Sequence, residues 1–189
     1  SNSTKRPVEW RSTRCQVAPD DSIMTMLNKI HRAIDARVQA IRDGHPNWLC
    51  SKGCDRCCRS LADIPRLTAA EWALLKEGLA VLPPERLAEI TRNMAALGGQ
   101  KSRPVVCPML DQASGACPVY AHRPVACRTY GFYVQRDKGL YCSAIEARVA
   151  GGALADVVWG NHDAIDQQLA GQGENRLLTE WFSLPDLGR

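Results

Sequence analysis

Long apolar runs are missing from this sequence. The best stretch, residues 154–159, is interrupted by Asp156 and falls far short of the roughly 20 residues that cross a bilayer, so no membrane helix is expected. Runs of five or six like charges are also missing, and 24 Lys+Arg against 20 Asp+Glu leave a net charge of only +4. Such a mild excess does not call for a nucleic-acid partner. Aromatic residues are sparse, at 6% with two Phe. There is no glycine-rich phosphate loop, no G-x-S-x-G, no His-x-x-x-His and no Cys-His pair at an interpretable distance, which removes support for hydrolase chemistry. Residues 1–14 are polar and basic without an apolar leader core, so a cytoplasmic setting is expected.

What remains is a chain of 189 residues, 45% hydrophobic and 23% charged, enough apolar mass for one domain and too much for a disordered chain. Residues 1–20 carry Pro7, Pro19 and scattered charges without periodicity and read as a flexible N-terminal arm; Cys15, within it, reads as a free thiol. Residues 21–189 read as a single cysteine-cluster metal-binding domain. Ile23, Met26, Leu27, Ile30, Ile34, Val38 and Ile41 recur at helical spacing, with Asp21 or Ser22 as the expected cap and Gly44, His45 and Pro46 as the stop.

Residues 47–65 are dense in Cys, Arg and Lys and lack an apolar period, so they are expected to be a loop ordered by something other than a core. Thr68 and Glu71 form a capping box ahead of a helix burying Trp72, Leu75 and Leu79. Pro84 suits the first turn of a second helix, with Leu87, Ile90, Met94 and Leu97 on one face and Gly98-Gly99 at its end. The two should form a hairpin. Short β-prone runs lie at Val105-Val106, Val119-Tyr120 and residues 130–134. Further helices are expected over 143–149, 163–169 and 175–181. The fold class is therefore mainly α with short irregular strands and cysteine-rich loops, a small metal-stabilised α+β domain.

The chemistry lies in the cysteines. Eight of nine fall between residues 50 and 142: Cys50, Cys54, Cys57, Cys58, Cys107, Cys117, Cys127 and Cys142. The first four read C-x3-C-x2-C-C, with Gly53 free to fold the backbone tightly. A disulfide framework is disfavoured in a chain of this size without an export signal, and inert buried thiols do not account for the spacing. Metal ligation does, since soft thiolates select zinc, copper(I) or iron-sulfur centres. Lys52, Arg56 and Arg59 against Asp55 give residues 50–59 a net +2, and residues 103–142 net +3, counter-charge for an anionic metal-thiolate centre. Neighbouring side chains tend to diverge, so Cys57 and Cys58 should not share one ion, and either a second site or one non-ligand cysteine is expected. Eight thiolates suffice for two four-sulfur sites. Cys50, Cys54 and Cys57 also match the C-x3-C-x2-C spacing of radical S-adenosylmethionine enzymes, but the alternating strands and helices of their barrel do not follow. Cys107-Pro108 and Cys117-Pro118 echo the Cys-Pro of ferredoxins and tilt the balance toward iron. Among the four histidines His122, between Cys117 and Cys127, is the best placed for a supporting role. Arg128 is expected to donate toward sulfur or carboxylate.

These residues, with Cys107-Pro108-Met109-Leu110, Gly115-Ala116-Cys117-Pro118-Val119-Tyr120 and Arg123-Pro124-Val125-Ala126-Cys127-Arg128-Thr129-Tyr130, resemble the YkgJ-type cysteine-cluster family, a zinc- or iron-chelating domain. The resemblance covers about half the chain. It implies the eight cysteines as ligands of zinc or iron. The expected function is that of a cytoplasmic metal-binding protein holding zinc or an iron-sulfur (4Fe-4S) centre, with a metal-handling or structural adaptor role. The resemblance implies no established reaction. Flagellin lysine N-methylases share the motif, and an iron-sulfur redox or S-adenosylmethionine-dependent enzyme is the alternative, although this chain is shorter than those enzymes. A metal ion or cluster is thus the expected partner, with nucleic acid unlikely to be one and no membrane.

Overall fold

A computed structural model describes residues 25–184; the arm over 1–20, with Cys15, lies outside the described residues. The expected class holds: the described residues form eight helices, most of them short, and five strands of two or three residues in two small sheets. Among the described residues no helix is long and apolar enough to cross a membrane.

Helix α1 (Met26–Gly44) buries Leu27, Ile30, Ile34 and Ile41 and ends at His45 as read from the sequence. Its cap differs from the expectation. Thr25 is extended and its hydroxyl accepts from Asn28 N–H at 3.3 Å, so the helix opens at Met26, after Asp21 and Ser22. A single turn, α2 (Arg56–Arg59), follows and buries nothing. Strand β1 (Arg66–Thr68) leads into α3 (Ala69–Ala80), and Pro84 opens α4 (Pro84–Gly98).

The short C-terminal elements are α5 (Val125–Thr129), β2 (Tyr133–Gln135), β3 (Lys138–Leu140), α6 (Ser143–Ala150), β4 (Gly160–Asn161) and α7 (His162–Leu169), then β5 (Asn175–Leu177) and α8 (Leu178–Phe182). Two expectations are corrected here. Residues 175–177 pair antiparallel with β1, Arg66 opposite Leu177, so the helix expected over 175–181 starts only at Leu178. Val119-Tyr120 leads into a 3-10 turn over Tyr120–His122 instead of a strand. Val105 makes an isolated antiparallel bridge with Leu61. Strand β2 is central in the second sheet, antiparallel to β3 and parallel to β4.

Two apolar clusters result. One gathers Leu67, Trp72, Leu75, Leu79, Ile90, Met94, Leu97, Leu178 and Trp181 from β1, α3, α4 and α8. Trp181 Nε1 donates to Leu67 O at 2.9 Å, which satisfies the indole inside that core. The other cluster gathers Leu27, Ile30, Ile34, Ile41, Val125, Phe132, Tyr133 and Ile165 from α1, α5, β2 and α7.

Glu71 joins the two. Its Oε2 accepts from Thr68 N–H and Oγ1–H, both at 2.9 Å, completing the capping box. Its Oε1 accepts from Val125 N–H at 2.9 Å, which ties α3 to the start of α5. Buried at 4% exposure, the carboxylate takes donors from two helix starts. Glu71→Ala leaves those donors unpaired and should cost on the order of 3 kcal/mol in denaturant unfolding, whereas a loss below roughly 0.5 kcal/mol would show that the contact is not structural.

His31 is buried on α1, and its Nε2 has no hydrogen-bond partner. Burial, then the charge of Arg128, lowers its pKa to about 4, against a smaller opposing pull from Asp35. The unfolded imidazole takes its proton near 6.5. The stabilisation from neutral His31 is therefore complete above about 6.5 and is lost as the pH falls toward 4. The melting temperature of His31→Leu should fall less between pH 7 and pH 5 than that of the unaltered chain; identical falls would remove His31 from the acid response.

Candidate metal centre

The cysteine segments are tied down by backbone contacts, and those of Cys107, Cys117 and Cys127 also by the buried neighbours Met109, Val119 and Val125. Cys54 N–H donates to Ser51 O at 3.1 Å across a turn in which Gly53 has φ +93°. This is the tight fold anticipated for Gly53. Helix α2 carries Cys57 and Cys58, about 100° apart around its axis, and Arg59 pairs across it with Asp55 at 2.6 Å. Cys107 N–H donates to Cys58 O at 2.7 Å, which brings the 107 segment alongside α2.

Cys117 follows a turn closed by Asp111 N–H on Ala116 O at 2.9 Å. Cys127 lies in α5, which starts after Pro124, and Cys142 stands at the N-terminal cap of α6. Gly131 packs directly on Cys50: with φ +92°, a Cβ there would stand 2.9 Å from Cys50 Sγ. Gly131 N–H in turn donates to Leu140 O at 2.6 Å, drawing the strand that precedes Cys142 to the same place.

All eight are free and half-buried. Seven of them, Cys142 being the exception, line one cavity of about 570 Å³ between the two cores. Val38 and Phe132 face it from one core, Leu75, Met109 and Leu178 from the other. Among the described residues no three His, Cys, Asp or Glu side chains are already drawn onto one point as ligands of a single ion.

The thiols act on one another. A hydrogen bond with Cys58, then burial, raises the pKa of Cys57. A hydrogen bond with Cys107 pushes Cys58 up to about 12. Burial takes Cys127 to about 12 and Cys50 to about 11, and it raises Cys117 as well. Beyond burial, Cys50 is opposed by Cys57, Cys54 and Cys142, and Cys127 by Cys58, Cys117 and Cys57. Thiolates packed this closely cannot ionise together without a cation among them. The donor set therefore fits a soft metal: when bound, zinc or iron would supply the positive charge that lets these sulfurs lose their protons.

Charges around the cavity differ from the expectation. Arg42, Arg123 and Arg128 line it. Arg59 is held by Asp55, and Lys52 stands over the Tyr120 ring at 5.5 Å. Arg136 sits in the β2–β3 turn, its N–H donating to Asp163. Arg128 donates to the carbonyls of Arg123 and Ala121 and lies 3.6 Å from Asp35, so the carboxylate half of its expected role holds while its hydrogen bonds go to backbone. His122 packs against Gly78 of α3 and is not among the residues lining the cavity. Arg42 was missed. It lies in α1, outside the cysteine-rich segments, where helical periodicity assigned it no role.

Residues 49–146 match the family model CxxCxxCC, described as "Putative zinc- or iron-chelating domain". The chain belongs to this family of zinc- or iron-chelating cysteine domains. No curated protein and no solved structure matches it. The chain departs from the family's named spacing by one residue between Cys50 and Cys54, and the left-handed Gly53 turn takes up that residue.

Gly131→Ala should displace Cys50, because a methyl group cannot share space with the sulfur and alanine is strained at this φ. The expected outcome is fewer bound metal atoms per chain by elemental analysis with the far-ultraviolet dichroism retained; unchanged metal content would show that Cys50 has no part in binding.

Proposed function

We propose that the chain is a metal-binding protein in which the eight cysteines form two four-thiolate centres of the iron-sulfur type. Cys50, Cys54, Cys57 and Cys142 make one set, and Cys58, Cys107, Cys117 and Cys127 the other. The observation that carries this reading is the gathering of seven of the eight cysteines about one cavity beside α2. Backbone contacts support the split: Cys50 and the Cys142 strand meet at Gly131, and Cys107 bonds to Cys58.

The Cys107-Pro108 and Cys117-Pro118 pairs, which echo the Cys-Pro of ferredoxins, favour iron. Such a centre, when bound, would supply one-electron redox capacity or hold the loops in place. The residues themselves contribute thiolate donors, a half-buried setting and nearby arginines.

Elemental and acid-labile sulfide analysis of anaerobically purified protein, with its visible spectrum, tests this. Iron and sulfide in amounts for two centres are expected, falling by half in both Cys54→Ser and Cys117→Ser. A colourless protein holding two zinc ions would overturn the iron assignment and keep the two sets. Loss of all the metal, or of none, in either variant would overturn the sets.

A further inference from the structure

Two arginines on the cavity wall stand apart from the other charged residues nearby. Arg42 reaches from α1 with its guanidinium 5.2 Å from the Phe132 ring centroid, and its Nη2 donates to Cys50 O at 3.2 Å. Arg123 lies 3.6 Å over the Tyr120 ring, donates from Nε to Tyr120 O at 2.9 Å and reaches Cys127 O from Nη1 at 3.5 Å. Both are half-buried. Neither has a carboxylate partner within ion-pair distance among the described residues. Arg128, the third on the wall, is drawn to Asp35.

We infer that Arg42 and Arg123 are positioning residues that each supply counter-charge to a different thiolate set, Arg42 to Cys50, Cys54, Cys57 and Cys142, and Arg123 to Cys58, Cys107, Cys117 and Cys127. The inference rests on the two-set reading above. The contacts place each arginine beside one cysteine of its own set through that residue's carbonyl. A tetrathiolate centre with a divalent ion carries −2, and a half-buried guanidinium close by offsets part of that charge where water screens it poorly. A guanidinium is suited to this task because it stays charged at all working pH values and is more weakly hydrated than an ammonium.

Cobalt(II) titration of the full chain, followed through thiolate-to-metal absorption, tests the assignment. Cys117→Ser leaves the first set intact, and Cys54→Ser the second. In the first background Arg42→Gln should weaken cobalt binding about tenfold, with Arg123→Gln having little effect; in the second background the pattern should reverse. Arg42→Lys and Arg123→Lys keep the charge and should restore most of the affinity. Glutamine retains a donor without the charge, so a purely structural hydrogen bond would be spared by glutamine and not rescued by lysine. Equal weakening of both sets by either arginine, or none, would overturn the inference. Failure of the unaltered chain to bind two cobalt ions would instead overturn the two-set reading on which it rests.

Discussion

Bringing seven of the eight thiols to one cavity wall is the constraint on which the arrangement depends. Each sulfur is half-buried, and burial together with its neighbours' charges holds several of the thiols protonated. The segments that carry them differ in apolar support: α2 buries no residue, whereas Met109 and Leu110 after Cys107, and Val125 before Cys127, are buried. Around α2 the chain keeps its course through backbone hydrogen bonds such as Cys107 N–H to Cys58 O. A chelated cation would convert mutual repulsion into attraction, which is the physical sense of a zinc- or iron-chelating family.

The scaffold around the cavity is built in two halves. The cluster of α3, α4 and α8 forms one wall and the cluster of α1, α5 and α7 the other, with Glu71 spanning them. That carboxylate satisfies donors at the start of α3 and at the start of the helix bearing Cys127. A single side chain thereby links the packing of the cores to the position of a thiol. Gly131 does comparable work on the opposite side by yielding the space that Cys50 occupies.

Local signals were legible where the cause was local. The Thr68–Glu71 capping box, Pro84 at a first turn, Gly44 and His45 at a stop, and the left-handed Gly53 turn all act through residues a few positions apart, and each is found where the sequence indicated. Errors arose where a distant partner decided the outcome. Residues 175–177 have an acceptable helical pattern, yet β1, more than a hundred positions earlier, takes them as a strand. Val119 is β-prone but is buried in the first core at the entry to a 3-10 turn. Arg42 has no local signal, since its place on the cavity wall follows from α1 lying along the cavity.

The kind of chemistry was determined by the sequence alone, because the number of soft thiols, their tight spacing around α2 and the neighbouring basic residues are properties of composition and order. Which thiols lie near one another, which arginines reach them and which histidine stays away were decided only by the tertiary structure. Those relations join positions as far apart as 42 and 142, and they rest on non-local contacts, such as Cys107 N–H to Cys58 O and Val125 N–H to Glu71, that no local pattern of residues encodes.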